Sequence, residues 1–369
     1  GELTSNEIKI SCVQDRFSAS TVTFAPPEGS GWTPTNTGAQ NVVTRLLFNP
    51  PAFLVSPDSN ETTSTFDNNG RLYVAAVAPG NVSVSFDAMF STDNFATDPT
   101  LQINDSPYSG GGVLATAYAS TVGGTSHYDT SSVFKVTGVS QAAISQLKQY
   151  TTLAQAQDGS ALLMVNNELL IYVGYIDNGD GSVTFPKLYR GVLDTVPGNH
   201  AANDRVWFLS GQDGLIPALL PVGQTAYVKL LDQTPSATLS LSSATSFSAA
   251  VTNRAGLPLQ PCFLTLNGSR TPATTTGATS VSVGWKNRSR TDTSIRPYDD
   301  TTEAREAGTQ TRVRWRVGAG GYTTVTTTGN GTTLNVTGLT GTLEVIADTQ
   351  IISNNKYSTY SETLTMTLS

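Results

Sequence analysis

Hydrophobic and polar residues alternate with a period of two along most of the chain. Ile8, Ile10 and Cys12 interleave with Lys9 and Ser11, and Val82, Val84, Phe86 and Ala88 interleave with Ser83, Ser85 and Asp87. Successive side chains of a strand point to opposite faces, so this pattern predicts strands with one buried face. DNNG at 67–70 and DNGDG at 177–181 stand between strand-like segments, and their Asp, Asn and Gly residues accept the positive φ that hairpin loops require. Residues 1 to about 210 therefore read as mostly antiparallel sheet. One stretch departs from the pattern: after Ser140, Ile144, Leu147 and Tyr150 keep a helical spacing with Ser140 placed to cap the first turn, which predicts a short helix near 141–149. The β-branched Thr151 and Thr152 weaken its continuation.

The C-terminal hundred residues alternate most regularly. Val281, Val283 and Trp285 are separated by Ser282 and Gly284; Val313, Trp315 and Val317 by Arg314 and Arg316, with Arg312 ahead of them; Leu364, Met366 and Leu368 by Thr365 and Thr367, with Thr363 ahead. Short strands between Gly-rich and Asn-rich turns predict a β-sandwich of the immunoglobulin-like kind, with Trp285, Val313 and Trp315 in its core. Between the two parts, Ala226, Val228 and Leu230 continue the strand pattern, and GLPLQPC reads as the linker into the sandwich. The expected fold class is all-β, antiparallel β domains followed by a sandwich. The expected divisions are an N-terminal β-rich segment 1–84, a β domain 85–210, a connecting β segment 211–272 and the sandwich 273–369.

Composition narrows the function classes. A length of 369 residues exceeds what a single core usually serves. Charged residues make up 13%, about half of the roughly 25% usual in soluble proteins, and the net charge of −7 argues against a nucleic-acid groove, which needs clustered Lys and Arg. Cys12 and Cys262 are too few and too far apart to form a disulfide framework and read as buried free thiols. No apolar run is long enough for a membrane span, and no basic-then-apolar leader is read at the N-terminus.

Candidate chemistry is sparse. His200, with Asp204 four residues on, is read as a structural hydrogen-bonding residue. His127 lies next to Ser126 and near Asp129, but triads are assembled from distant positions and the chain has no GxSxG turn. DNGDG begins like a calcium loop, yet the twelfth position is Leu188 where an EF-hand needs Glu. No metal, cofactor or catalytic residue is expected. RVRWRV at 312–317 reads as a solvated strand face, with an inter-subunit or ligand surface as the alternative. Trp32 in GSGWTP and Tyr322 in GGYTT are candidate sugar-stacking aromatics.

The segment 168–209 resembles a pattern in tail-tip hub proteins of long-tailed bacteriophages and gene transfer agents. The matching positions are Glu168, Leu169, Leu170, then Leu188, Tyr189, Arg190, Gly191, then Thr195, His200 and Asp204. Asp194 and Asn203 stand where the family usually has Gly, and both residue types tolerate left-handed backbone. PLQPCFLTLNGS and VSVGWKNRSR are similar to the entry into the fibronectin type III domain of such hubs, with Trp285, Arg288 and Arg290 at matching positions. The resemblance covers about residues 85 to 369.

It implies a non-enzymatic structural component of the virion tail tip, a homotrimer. Its partners would be other tail proteins, tail fibres and a host-surface glycan or protein. In that setting Glu168, Arg190, Gly191, Thr195, His200 and Asp204 are expected to build a structural corner. Gly191 leaves the strand at positive φ, Pro197 and Gly198 make a second turn, and Arg190 donates to loop carbonyls and to Glu168 or Asp204. The rival readings are a glycan-binding adhesin module and, less favoured, a glycoside hydrolase, which needs two carboxylates roughly 5 to 10 Å apart.

Overall fold

The computed structural model describes residues 38–55, 63–97, 99–119, 128–129, 133–209, 213–298 and 304–369. Ile8, Ile10, Cys12, Trp32, Ser126 and His127 lie outside the described residues. The fold is all-β, built from antiparallel sheets with a few short helices.

The largest sheet positions the corner. Its nine strands run, edge to edge, Ile176–Asp177, Ser182–Phe185, Phe134–Thr137, Gly111–Leu114, Arg205–Leu209, Leu162–Val165, Glu168–Tyr172, Leu188–Tyr189 and Tyr128–Asp129. Leu162–Val165 and Glu168–Tyr172 form a tight hairpin in which Glu168 faces Val165 across two turn residues, and Asn166 takes the left-handed φ of 51°. Both strands are apolar nearly throughout and buried along their whole length, as central strands covered on both faces must be. DNGDG forms the expected hairpin loop between Ile176–Asp177 and Ser182–Phe185, with Gly179 and Gly181 at positive φ. The helix after Ser140 spans Gln141–Gln146, and the Ser140 hydroxyl accepts from the Ala143 amide at 3.2 Å. It ends before the predicted 149, where Leu147 is already extended.

A second sheet orders Ala237–Thr238, Thr225–Thr234, Ser85–Ser91 and Thr100–Pro107, with Phe247–Ala250 also paired to Thr225–Thr234. Ala226, Val228 and Leu230 are buried as the alternation predicts, facing a core that includes Phe86 and Ala88. Val84 precedes the strand and is 58% exposed, against its predicted inward position. The third unit is a sandwich of Cys262–Leu266, Ser280–Lys286 and Gly331–Asn335 against Thr323–Thr327, Thr309–Val317, Gly341–Ile351 and Glu362–Leu368. Trp285 and Val313 are buried in its core, and Trp315 packs against that core partly buried.

Several expectations need correction. DNNG is not a hairpin loop: Asn69–Gly70 is itself a short strand paired with Leu220–Pro221, more than a hundred residues on. Strands group differently from the expected divisions at 84 and 210. Ser85–Ser91 and Thr100–Pro107 share a sheet with Thr225–Thr234, and the sandwich already begins at Cys262, ahead of 273. Pairing is made through space, and composition along the chain carries no mark of it. GLPLQPC is no open linker, since Leu259 and Gln260 are buried.

Candidate functional site

The corner starts from the end of strand Leu188–Tyr189. Gly191 turns the chain out of the sheet at φ 57°, and a Cβ there would fall 2.4 Å from Pro197 Cδ, so both backbone and space demand glycine. The turned loop is tied back onto the neighbouring strand. Val192 N donates to Leu169 O at 3.0 Å, Leu169 N donates to Thr195 Oγ1 at 3.1 Å, and Thr195 Oγ1 donates to Val192 O at 2.7 Å.

Arg190 is fully buried, and its guanidinium is held from several directions. Nε donates to Glu168 Oε1 at 2.9 Å and Nη2 to Oε2 at 2.6 Å, the bidentate fork that fixes both planes. Nη2 also donates to Gly198 O at 2.5 Å and Nη1 to Ala119 O, while the group lies 4.4 Å over the Tyr118 ring. Glu168 in turn accepts from Gly191 N at 3.0 Å, Gly198 N at 2.9 Å and His200 Nε2 at 2.7 Å. A carboxylate only accepts, so the His200 proton sits on Nε2. The His200 backbone pairs with Tyr118 in both directions at 2.8 Å, and the Tyr118 hydroxyl donates to Asp129 Oδ2 at 2.6 Å. One carboxylate thus gathers the strand end, both turns and the histidine.

Burial by itself raises the Glu168 carboxyl, but hydrogen bonds from His200 and Arg190 and the guanidinium charge outweigh it and hold the group below the usual carboxylate range. A group depressed on folding stabilises fully above its unfolded pKa, near 4.3, and loses that contribution as pH falls through its folded value. The stability gap between the protein and Glu168→Gln, measured by urea unfolding, is therefore expected to be widest near neutrality and to narrow below about pH 4. A gap constant down to acid unfolding would contradict this.

Five of the six expected residues converge here; Asp204 stands one step away. It accepts from Ala201 N and Asn166 Nδ2, each at 2.8 Å, and reaches His200 only through Asn166, whose Nδ2 is 3.4 Å from Nδ1. The carboxylate on Arg190 is accordingly Glu168. The left-handed positions also shift: Asn203 adopts φ 71° as expected, but beside Asp194 it is Leu193 that does so, at 57°. Asp194 instead binds the Arg254 guanidinium through both oxygens, at 2.5 and 2.7 Å.

Sequence reasoning missed the second half of the corner, which comes from downstream. Gln260 Nε2 donates to Thr195 O at 2.8 Å, and buried Arg288 donates to the carbonyls of Gly191 and Leu193 and, at 3.3 Å, to that of Thr195. Ile295 enters the core of the nine-stranded part, with its amide on Gln157 O at 2.9 Å. Loop 191–195 is clamped between the large sheet and the root of the sandwich. Arg288 was singled out for its motif position, but nothing in its spacing points to carbonyls 93 to 97 residues away.

Around Glu168 the corner is densely hydrogen-bonded, while on its downstream side Arg288 Nε and Gln260 Oε1 are buried without a partner. Two cavities open to solvent, of about 490 and 500 Å³, are lined by no corner residue, whereas Leu193 and Arg288 line a small pocket together with Pro51, Phe53 and Arg290. Other buried carboxylates are engaged too: Asp129 by Tyr118, Asp194 by Arg254, Asp232 by Tyr108, Glu306 by Arg290, Asp348 by Arg312 and Glu362 by Arg270. Among the described residues no group of His, Cys, Asp and Glu is arranged to hold a metal. Tyr322 is 40% exposed, but its ring lies 4.5 Å beneath Arg316 and its hydroxyl donates to Glu344 at 2.9 Å.

No family model and no curated protein matches the chain. Among solved structures, the crystal structure of chicken CNTN1 FN1-FN3 domains is similar over 82% of this chain at 7% identity and a TM-score of 0.21. The present chain spans 62% of that one's length. A cytokine receptor complex is similar over 55% of this chain and 94% of its own, at 13% identity and a TM-score of 0.20.

Proposed function

We propose that this chain is a non-enzymatic structural component of a phage tail tip. It assembles as a homotrimer with other tail proteins and tail fibres and contributes to attachment at a host-surface glycan or protein. The observation that carries this reading is the convergence of Glu168, Arg190, Gly191, Thr195 and His200, all positions that match the hub pattern, on one buried and densely hydrogen-bonded lock. Arg288, a matching position in the fibronectin-like entry, closes that lock from the other side. A part that transmits load between modules needs such a fixed joint, whereas a catalytic site needs an accessible group with unused bonding capacity. The engaged carboxylates do not favour the hydrolase reading.

Antibodies raised against the purified chain should label the tail tip of tailed particles carrying its gene in negative-stain electron micrographs, and light scattering of the purified chain should give three times the monomer mass. Label on the capsid or no label on any particle overturns the assignment.

A further inference from the structure

The outer face of the four-stranded sandwich sheet carries a row of guanidiniums. Arg312, Arg314 and Arg316 project outward from Thr309–Val317 while Val313, Trp315 and Val317 pack on the core. Across one side lie Asp348, Ile346 and Glu344; across the other, exposed Thr326 and Thr324; beyond Ile346 and Glu344, exposed Thr363 and Thr365. Each of the two outer arginines is paired with a carboxylate of its own. Arg312 is bidentate on Asp348 at 2.9 and 2.7 Å and lies 3.6 Å over the Tyr357 ring, and Arg316 donates to Glu344 at 2.5 Å over Tyr322.

Arg314, between them, has no carboxylate of its own. Its Nη2 shares Asp348 Oδ2, already taken by Arg312, at 3.0 Å, and its Nε is buried without a partner. Three cations here face two carboxylates. The Arg314 side chain is 31% exposed and its one hydrogen bond among the described residues is that shared one, and the planar fork of arginine matches a carboxylate through two parallel bonds. Rows of threonine hydroxyls and a half-uncovered tyrosine ring suit a ligand that is itself polar, flat and hydroxylated.

We propose that this face binds a carboxylate-bearing saccharide chain of the uronate type. Arg314 receives the carboxylate, and Tyr322 with Thr324 and Thr326 contacts the sugar. The inference goes beyond the tail-tip reading and does not rest on it: the chain can sit at a tail tip without binding uronate, and can bind uronate without sitting there.

The test is calorimetric titration of the full chain with short oligomers of galacturonate and of mannuronate, and with the same oligomers carboxyl-reduced. Saturable binding of at least one charged oligomer and none of the reduced ones is expected. Arg314→Gln should weaken the binding about tenfold or more without lowering the unfolding midpoint, and Arg314→Lys should keep part of it. Absence of saturable binding by the unaltered chain, equal binding of the reduced oligomers, or unchanged affinity in Arg314→Gln would each overturn the proposal.

Discussion

Arg190→Ala is expected to destabilise the protein by about 3–5 kcal/mol, the range found when one member of a buried ion pair is removed. The size follows from what is left behind. Glu168, 2% exposed, would keep its charge without its bidentate partner, and the carbonyls of Ala119 and Gly198 would lose a donor. Arg190→Lys should recover only part of the loss, because an ammonium cannot span both carboxylate oxygens in the plane of the fork. Urea unfolding followed by far-ultraviolet circular dichroism reads the effect. A midpoint unchanged in Arg190→Ala would mean that the corner contributes nothing to stability.

Trp285→Ala should cost a similar amount, about 3–5 kcal/mol, but in the sandwich. Trp285 is 3% exposed and packs among Leu264, Val283, Val313 and Val345, so truncation leaves a cavity that two rigid sheets cannot close. Its indole Nε1 is buried with no hydrogen-bond partner. Trp285→Phe, which removes that donor and keeps most of the ring, should therefore cost much less than the alanine variant, near 1 kcal/mol. Equal losses in the two variants, by thermal unfolding, would show that volume is not what Trp285 supplies.

Legibility in the sequence followed the range of the interaction. Ser140 capping Gln141–Gln146 and the loop 177–181 are local devices, and the residues that make them stand next to each other. The alternation of Val281, Val283 and Trp285 reports burial of a strand face whatever the partner is. DNNG misled because Asn69–Gly70 finds its strand partner at Leu220–Pro221, and a turn-prone tetrapeptide carries no trace of that pairing.

Within the corner, Arg190, Gly191 and His200 were legible from the break after Leu188–Tyr189 and from the resemblance to the tail-hub pattern. The choice of Glu168 over Asp204 was settled in space: Asn166, on the hairpin turn just before Glu168, occupies Asp204. Leu193 in left-handed backbone could not be read at all, since leucine has no propensity for it. Its strain is tolerated where Arg288 and Gln260 hold the surrounding carbonyls.

The most direct test of a locked corner is a double-mutant cycle on Glu168 and Arg190, using Glu168→Gln, Arg190→Met and the pair, with unfolding free energies from urea titration at neutral pH. A coupling of about 2 kcal/mol or more is expected, because each single variant strands a buried group that the double variant does not. Additive losses, with a coupling near zero, would contradict a corner held by this pair.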